Sequence, residues 1–293
     1  MNLSVIIPIK DERDNLRPLH DRLRQALTPL GHAYELVFVD DGSIDGSFTV
    51  LEELAARDPA VKVVRLRRNF GQSAAMQAGI DWSSGDVVVT MDGDLQNDPA
   101  DIPLLLDKLA EGHDAVFGLR ANRQDNFLIR KLPSVLANWL IRKVTGVEVR
   151  DMGCTLRAMR RELAEGLPLY GEMHRFIPVL VQQQGARWIQ IPVRHHPRTA
   201  GKTKYNLSRT VRVLLDLITV KFMHSYVTRP MHVMGLAGLT SMGLGVLSLL
   251  LTIAMKWTSG IWMTGNPFLH LSALLEVIGI QFISLGLLAE LVT

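Results

Sequence analysis

Short apolar runs alternate with amphipathic segments along the first 118 residues of the chain. The runs are rich in β-branched residues and have the length of buried strands, at residues 3–9, 35–39, 61–66, 86–91 and 115–118. Helices are predicted between them, at residues 16–27, 48–57, 73–82 and 102–111. Near-continuous apolar strands separated by helices are typical of a mostly parallel sheet with helices on both faces, so the pattern predicts an α/β domain.

The last fifth of the chain is apolar. Residues 231–255 contain no Asp, Glu, Lys or Arg, and residues 268–290 contain only Glu276 and Glu290. Because about 20 apolar residues span the hydrocarbon core of a bilayer, the two segments predict a transmembrane hairpin. The alternative, a hairpin buried in a soluble core, would need cover on every face. Glu276 is a functional candidate, since acidic side chains inside a membrane are rare, and its role is left open.

Charge changes along the same boundary. Residues 187–229 hold nine Lys or Arg and one acid, whereas residues 1–186 hold 22 basic and 26 acidic residues. The positive-inside rule places such a basic segment, and the domain before it, in the cytoplasm. The sequence thus predicts a multi-pass protein of the inner, cytoplasmic membrane that contacts membrane lipids and no nucleic acid. Residues 207–227 predict an amphipathic helix, which lies on the membrane surface, packs on the domain, or does both.

Acidic residues follow three of the predicted strands. Glu12 comes after the first strand, Asp40 and Asp41 after the second, and Asp92 and Asp94 after the fourth. Ligands of parallel sheets bind at the carboxyl ends of the strands, where crowded carboxylates need a cation or a ligand rich in hydrogen-bond donors. An Asp-x-Asp pair offers oxygen ligands suited to Mg²⁺ or Mn²⁺ beside a diphosphate. No GxGxxG follows the first strand, so a dinucleotide site of the Rossmann type is not predicted.

A set of motifs in fixed order points to a family. From Ser4 to Arg209 the chain contains SVIIPIKDERDNL, VDDGSIDGS, RNFGQSAAMQAGI, GDVVVTMDGDLQNDP, GLRANRQ, IRKLPS and RTAGKTKYNLSR. With these motifs the chain resembles the inverting family 2 glycosyltransferases with a GT-A fold, in the polyprenyl-phosphate branch that includes dolichol-phosphate mannose synthase. The resemblance implies a GT-A catalytic domain at residues 1–206, an amphipathic helix at 207–227 and a transmembrane hairpin at 228–293.

The resemblance also implies an activity. It is the metal-dependent transfer of one sugar from a UDP- or GDP-linked donor to undecaprenyl or dolichyl phosphate at the cytoplasmic membrane face. The family allows a homo-oligomer. The alternatives are transfer to another membrane lipid or glycan, and a non-catalytic protein that binds nucleotide sugars.

Individual roles follow from matched positions. The implied nucleotide-binding residues are Pro8, Glu12, Asp40, Asp41 and Asp92. The implied ligands of Mg²⁺ or Mn²⁺ are Asp92, Asp94 and Gln96. The implied acceptor-phosphate residues are Arg120, Arg130, Ser134, Arg198, Lys202 and Lys204. Asp94 and Asp151 are the catalytic candidates, Asp151 because it matches a position proposed for a catalytic aspartate in bacterial relatives.

Two interpretations depend on physical argument. The acceptor is a phosphate monoester that is already anionic, so it needs positioning more than deprotonation, and an orienting role is predicted for Asp151 with a general base as the alternative. Residues 184–188 match the QxxRW signature of processive polysaccharide synthases. Here Gly185 is expected to end a helix and residues 187–193 to begin a strand. With only two spans following, processive synthesis is not predicted.

Overall fold

The computed structural model describes residues 2–120, 147–197 and 230–292. The chain divides into two compact units, Met1–Leu217 and Ile218–Thr293. The described strands of the first unit are β1 (Leu3–Ile9), β2 (Tyr34–Asp40), β3 (Val61–Arg65), β4 (Val87–Thr90), β5 (Ala115–Arg120), β6 (Arg157–Arg160) and β7 (Trp188–Val193). Its described helices are α1 (Arg13–Leu27), α2 (Ser47–Arg57), α3 (Gln72–Trp82), α4 (Ile102–Ala110), α5 (Arg161–Glu165) and α6 (Ile177–Gln183).

The strands form one sheet in the order β3-β2-β1-β4-β6-β5-β7. Strands β1 to β4 are mutually parallel, and β5 is parallel to β7. The exception is β6, which lies between β4 and β5 and runs antiparallel to both. The predicted α/β architecture with a mostly parallel sheet is confirmed. The sequence pattern did not predict β6, a four-residue strand with an arginine at each end.

Helix α1 shows how the hydrophobic pattern fixes the layers. Its leucines recur every three or four residues, at Leu16, Leu19, Leu23 and Leu27, and all four are buried. They belong to the same apolar cluster as the side chains of β1 and β2. Polar residues occupy the other side of the helix, so the one-sided periodicity packs α1 against the sheet.

A buried carboxylate fastens the amino ends of the parallel strands. Glu35 Oε1 accepts hydrogen bonds from Ser4 Oγ (2.6 Å) and from the Ser84 N–H (2.5 Å), and Lys62 Nζ lies 2.5 Å from Oε2. Burial by itself would raise the pKa of Glu35, but the hydrogen bonds from Lys62, Ser4 and Ser84 outweigh it and lower that pKa to about 2. One side chain thereby ties β1, β2, β3 and the loop before β4 together.

We expect Glu35→Gln to lower the free energy of unfolding by about 1.5–3 kcal/mol at pH 7, the usual range for hydrogen bonds to a charged group. Since the folded-state pKa lies below the unfolded value, the stabilisation is complete above about pH 4.5 and disappears as the pH falls toward 2. Thermal unfolding of the detergent-solubilised chain across this pH range measures both effects. The control is Glu111→Gln, which removes only an exposed pair with Lys108. Equal unfolding temperatures for the two variants would contradict the prediction.

The second unit contains two long helices, α7 (Pro230–Ser259) and α8 (Pro267–Val292). Both are long and apolar enough to cross a membrane. They approach each other closely at two glycines: a Cβ on Gly238 would lie 2.7 Å from the Gly279 carbonyl oxygen, and one on Gly279 would lie 2.9 Å from that of Gly238. Glycine at both positions lets the two backbones meet, as small residues do in membrane helix pairs.

Polar groups in this hairpin also face the helix seam. Ser241 Oγ donates to the Leu275 carbonyl, and Ser248 Oγ donates to the Phe268 carbonyl, each at 2.7 Å. Glu276 is half-buried against Gly245, where a Cβ would lie 2.9 Å from Oε1. The acid therefore lies along the seam between α7 and α8.

Candidate active site

The carboxyl ends of β1, β2, β4 and β5 lie at one end of the sheet, because these strands are parallel to one another. Since β6 runs the other way, its first residue lies at this end too, with Arg157 opposite Thr90. The loops that leave or enter these strands carry the described acidic and basic candidates. We call this region the site end; its predicted members are Pro8, Glu12, Asp40, Asp41, Asp92, Asp94, Gln96, Arg120 and Asp151.

The loops after β1 and β2 are bound to each other. Asp11 has a left-handed φ of 54°; its N–H donates to Ser43 Oγ (2.9 Å) and its Oδ1 accepts from the Ile44 N–H (2.8 Å). The Glu12 N–H donates to Ser47 Oγ at 3.1 Å. A strained residue persists in a turn only where its surroundings hold it in place. These hydrogen bonds therefore fix the loop after β1 against the loop after β2.

One carboxylate oxygen of Asp40 has an unusual environment. The residue is fully buried; Oδ1 accepts from the Ser43 N–H (3.0 Å), while Oδ2 is buried and has no hydrogen-bond partner among the described residues. Leaving a buried acceptor unsatisfied costs about 1–3 kcal/mol, so native structures rarely do so without a reason. A ligand N–H or O–H group would satisfy this oxygen.

The carboxylate of Asp41 binds backbone N–H groups of the protein. Its carboxylate accepts from the Phe70 N–H (2.7 Å) and the Gly71 N–H (2.9 Å), at the start of α3. The next residue, Gly42, has a φ of +67°, and a Cβ there would lie 2.6 Å from the backbone of Arg68. These contacts hold the loop after β3 against the loop after β2. The two adjacent acids therefore differ: Asp40 has an unsatisfied oxygen and Asp41 supports the loop.

The Asp-x-Asp turn after β4 is rigidly built. Asp92 Oδ1 accepts from Gln72 Nε2 (2.7 Å), and Asp94, only 6% exposed, accepts from the Gln96 N–H (3.1 Å). Leu95 has a left-handed φ of 61°. A bulky residue in that conformation is strained, which is a feature of turns whose geometry serves a function.

The acidic residues of this turn are candidate ligands of a divalent cation. Among the described residues, no group of three or more His, Cys, Asp or Glu side chains is placed to hold a metal ion. Mg²⁺, however, is usually bound by one or two carboxylates with substrate phosphates and water completing the shell. The pair Asp92 and Asp94 fits that mode of binding, with Gln96 as a further oxygen source.

Arg120 and Asp151 form a bidentate ion pair. Arg120 Nε lies 2.7 Å from Asp151 Oδ2, and Nη2 lies 2.7 Å from Oδ1. The Gly153 N–H also donates to Oδ1, at 3.0 Å. Both side chains are largely buried. Each carboxylate oxygen thus accepts a strong hydrogen bond, an arrangement that suits orientation of the guanidinium.

Arg157 was missed by the motif analysis. It is 2% exposed, and burial lowers its pKa to about 10, so the side chain stays charged at neutral pH. The signal in the sequence is a lone charge inside the apolar run CTLRAM, because charged side chains are seldom fully buried. Nearby Cys154 is buried as well; burial, then the charge of Asp151, raise the pKa of its thiol to about 11, so it is inert.

The remaining predicted residues fall elsewhere. Arg130, Ser134, Arg198, Lys202 and Lys204 lie outside the described residues, as does the segment 207–227 for which an amphipathic helix is predicted. The residues of the QxxRW match link a helix to a strand, as expected. Gly185, with a φ of +74°, follows α6, and Trp188 begins β7.

Known proteins are similar to this chain in sequence and in fold. The family model described as Glycosyl transferase family 2 matches residues 4–167. The dodecaprenyl-phosphate galacturonate synthase of Rhizobium johnstonii is 41% identical over 299 residues, covering 100% of this chain and 88% of that protein. The undecaprenyl-phosphate 4-deoxy-4-formamido-L-arabinose transferase of Yersinia pestis is 39% identical over 291 residues, covering 98% and 87%.

Solved structures share the fold. The glucosyl-3-phosphoglycerate synthase from Mycobacterium tuberculosis, crystallised with Mg²⁺ and uridine diphosphate, has a TM-score of 0.55 and 20% identity, covering 76% of this chain and 79% of that one. The same enzyme with Mn²⁺, uridine diphosphate and phosphoglyceric acid also has a TM-score of 0.55, at 21% identity.

Proposed function

The chain belongs to glycosyl transferase family 2, and on that premise we propose that it transfers a single sugar from a nucleotide sugar to a polyprenyl phosphate. The transfer is metal-dependent and inverts the anomeric centre. The observation that carries the proposal is similarity over the whole chain, apolar hairpin included, to relatives named for transfer to dodecaprenyl and undecaprenyl phosphate.

The nucleotide binds on the side of the site end formed by β1, β2 and β4. Support comes from the unsatisfied Oδ2 of Asp40, which a base or ribose donor would engage. Pro8 lies near the end of β1, Glu12 lies in the loop that follows, and Asp41 keeps the loop before α3 in place. A divalent ion held by Asp92, Asp94 and Gln96 would stabilise the negative charge that develops on the departing diphosphate.

The acceptor phosphate binds on the side formed by β5 and β6. Asp151 fixes the plane of the Arg120 guanidinium, and the planar geometry of a guanidinium suits a phosphate, so Arg120 is proposed to bind the acceptor phosphate. The phosphate carries its own negative charge, so the protein's task is to overcome repulsion and align the attacking oxygen. Arg130, Ser134, Arg198, Lys202 and Lys204 are proposed to complete this phosphate site. A single displacement without a covalent protein intermediate inverts the sugar.

The two apolar helices indicate a membrane-associated protein. We place it in the inner membrane with the catalytic domain in the cytoplasm, because the basic residues between 187 and 229 precede the first span. A polyprenyl phosphate, whose headgroup lies at the membrane surface, is then within reach of a domain anchored by this hairpin.

The test uses purified chain in detergent with radiolabelled UDP- and GDP-sugars, undecaprenyl phosphate, and either Mn²⁺ or EDTA. Label should enter the lipid fraction only when undecaprenyl phosphate and the metal are both present. Label on endogenous lipid or glycan without added undecaprenyl phosphate would contradict the acceptor assignment. Full transfer in EDTA would contradict the metal assignment.

We expect Asp151→Asn to keep at least a tenth of wild-type activity at pH 8. The second ionisation of a phosphate monoester lies near pH 6, so at pH 8 the acceptor has no proton to lose. The pH profile of the variant, measured from pH 5.5 to 8.5, should follow the phosphate. A loss of about 10²-fold at every pH, with nucleotide and acceptor binding unchanged, would instead identify Asp151 as an obligatory base.

A further inference from the structure

Arg157 makes an unusual set of contacts for a buried cation. Its Nε donates to the Cys154 carbonyl (2.9 Å), its Nη2 to the Met152 carbonyl (3.1 Å) and its Nη1 to the His174 carbonyl (2.6 Å). All three acceptors are backbone oxygens. Burying a charge is costly, and apolar side chains of similar volume often serve a core as well or better. Packing alone therefore does not explain why a charged side chain occupies this position.

Two of the three contacts fall on the loop that carries Asp151. Met152 and Cys154 flank Gly153, whose N–H donates to Asp151 Oδ1. A Cβ on Gly153 would lie 2.5 Å from Arg120 Nη2, so a side chain at this position would displace the Arg120 guanidinium. Arg157 thus holds this loop through the carbonyls of Met152 and Cys154, and Gly153 of the same loop lies against Arg120. Any shift of the loop would move the Arg120–Asp151 pair.

The third contact leads to the nucleotide side of the site. His174 is buried, and its Nδ1 lies 2.9 Å from Ser73 Oγ, which also accepts from the His174 N–H at 3.1 Å. Ser73 follows Gln72 at the start of α3, and Gln72 donates to Asp92. Through these groups Arg157 connects the loop of Asp151 with the helix end that positions Asp92.

We propose that Arg157 is a positioning residue for sugar transfer: its three-armed hydrogen bonding fixes the loop 151–154, and so sets the Arg120–Asp151 pair at the correct place relative to Asp92. The proposal rests on the proposed function for its catalytic consequence. Its structural part, the hold on the loop, can be tested whether or not polyprenyl phosphate is the acceptor.

The test compares Arg157→Lys with Arg161→Lys. Lysine keeps the positive charge but replaces the planar guanidinium with a compact ammonium group, so it cannot reach all three carbonyls at their fixed positions. Arg161 is the matched control: it also donates to a backbone carbonyl, that of Gly85, but at the opposite end of β4. Both variants are assayed for hydrogen exchange, binding of uridine diphosphate with Mn²⁺, and transfer to undecaprenyl phosphate.

We expect Arg157→Lys to speed amide exchange in residues 151–156 at least tenfold, and to lower kcat/KM for undecaprenyl phosphate at least tenfold. Its dissociation constant for uridine diphosphate should change less than about threefold. Arg161→Lys should leave exchange in that loop and transfer unchanged. Unaltered exchange at 151–156 in Arg157→Lys overturns the proposal, as does equal loss of transfer in both variants. If the wild type transfers no sugar to undecaprenyl phosphate, the proposed function fails while the exchange result still decides the proposal.

A double-mutant cycle separates positioning from general destabilisation. If Arg157 acts through the Asp151 loop, the two residues act as a unit. Adding Arg157→Lys to the Asp151→Asn variant should then lower kcat/KM by less than about a further threefold. Losses that multiply would mean that Arg157 acts independently of Asp151 and would overturn the proposal.

Discussion

Replacing Asp94 with alanine is expected to lower the rate of sugar transfer at least 100-fold in a protein that still folds. Asp94 is one of two carboxylates on the turn after β4, and the strained Leu95 beside it fixes their geometry. Removing one of two charged ligands weakens the hold on a cation that offsets diphosphate charge. A 100-fold loss corresponds to about 2.7 kcal/mol of transition-state stabilisation, a modest share of what a metal supplies.

The measurement is kcat with saturating nucleotide sugar across a Mn²⁺ titration. Asp94→Asn provides a second variant, because its amide oxygen can still accept from the Gln96 N–H and preserve the turn. Asp86→Ala is the control: Asp86 precedes the same strand at its other end, where it accepts from the Asn2 N–H. If Asp94→Ala retained more than about a tenth of the wild-type rate, Asp94 would not be a metal ligand.

The second large effect is expected at Arg120. We expect Arg120→Lys to lower kcat/KM for undecaprenyl phosphate about 30- to 100-fold, which is about 2–2.7 kcal/mol. Lysine leaves a cation beside buried Asp151, so the fold is kept, but it loses the bidentate pair with Asp151 and the planar guanidinium that is proposed to bind the phosphate. Binding of uridine diphosphate, measured by calorimetry, should change less than about threefold.

Arg194→Lys is the control for this substitution. Arg194 forms a comparable pair with Asp101, with Nε and Nη2 each 2.8 Å from Oδ1, and has no bond to Asp151 among the described contacts. It should change kcat/KM less than about threefold. Similar losses in both variants would mean that arginine pairs at this end of the sheet act only through stability.

The parts of the fold that arise from local sequence were predictable. Strands β1 to β5 follow directly from apolar runs, and α1 follows from leucines on one face. Strand β6 was not predictable, because four residues carry too little periodicity and their pairing with β4 and β5 depends on distant segments. Its position decides which end of the sheet Arg157 reaches.

The candidate site divides in the same way. The Asp-x-Asp turn is visible as a motif, since its residues are adjacent in sequence. The pairing of Arg120 with Asp151 joins positions 31 residues apart, and no local pattern relates them. The different environments of Asp40 and Asp41 depend on which carboxylate meets the loop before α3, a contact that only the folded chain defines.

The antiparallel β6 has a consequence for protein engineering. It lies between β1 to β4, which carry the residues proposed to bind the nucleotide, and β5, which carries Arg120, the described residue proposed to bind the lipid phosphate. On the proposed function, family members recombined at the short turn between α4 and β5 are expected to exchange lipid specificity and to keep sugar specificity. Such a chimera would need Ser73, His174 and Arg157 from one parent, because their hydrogen bonds cross the junction.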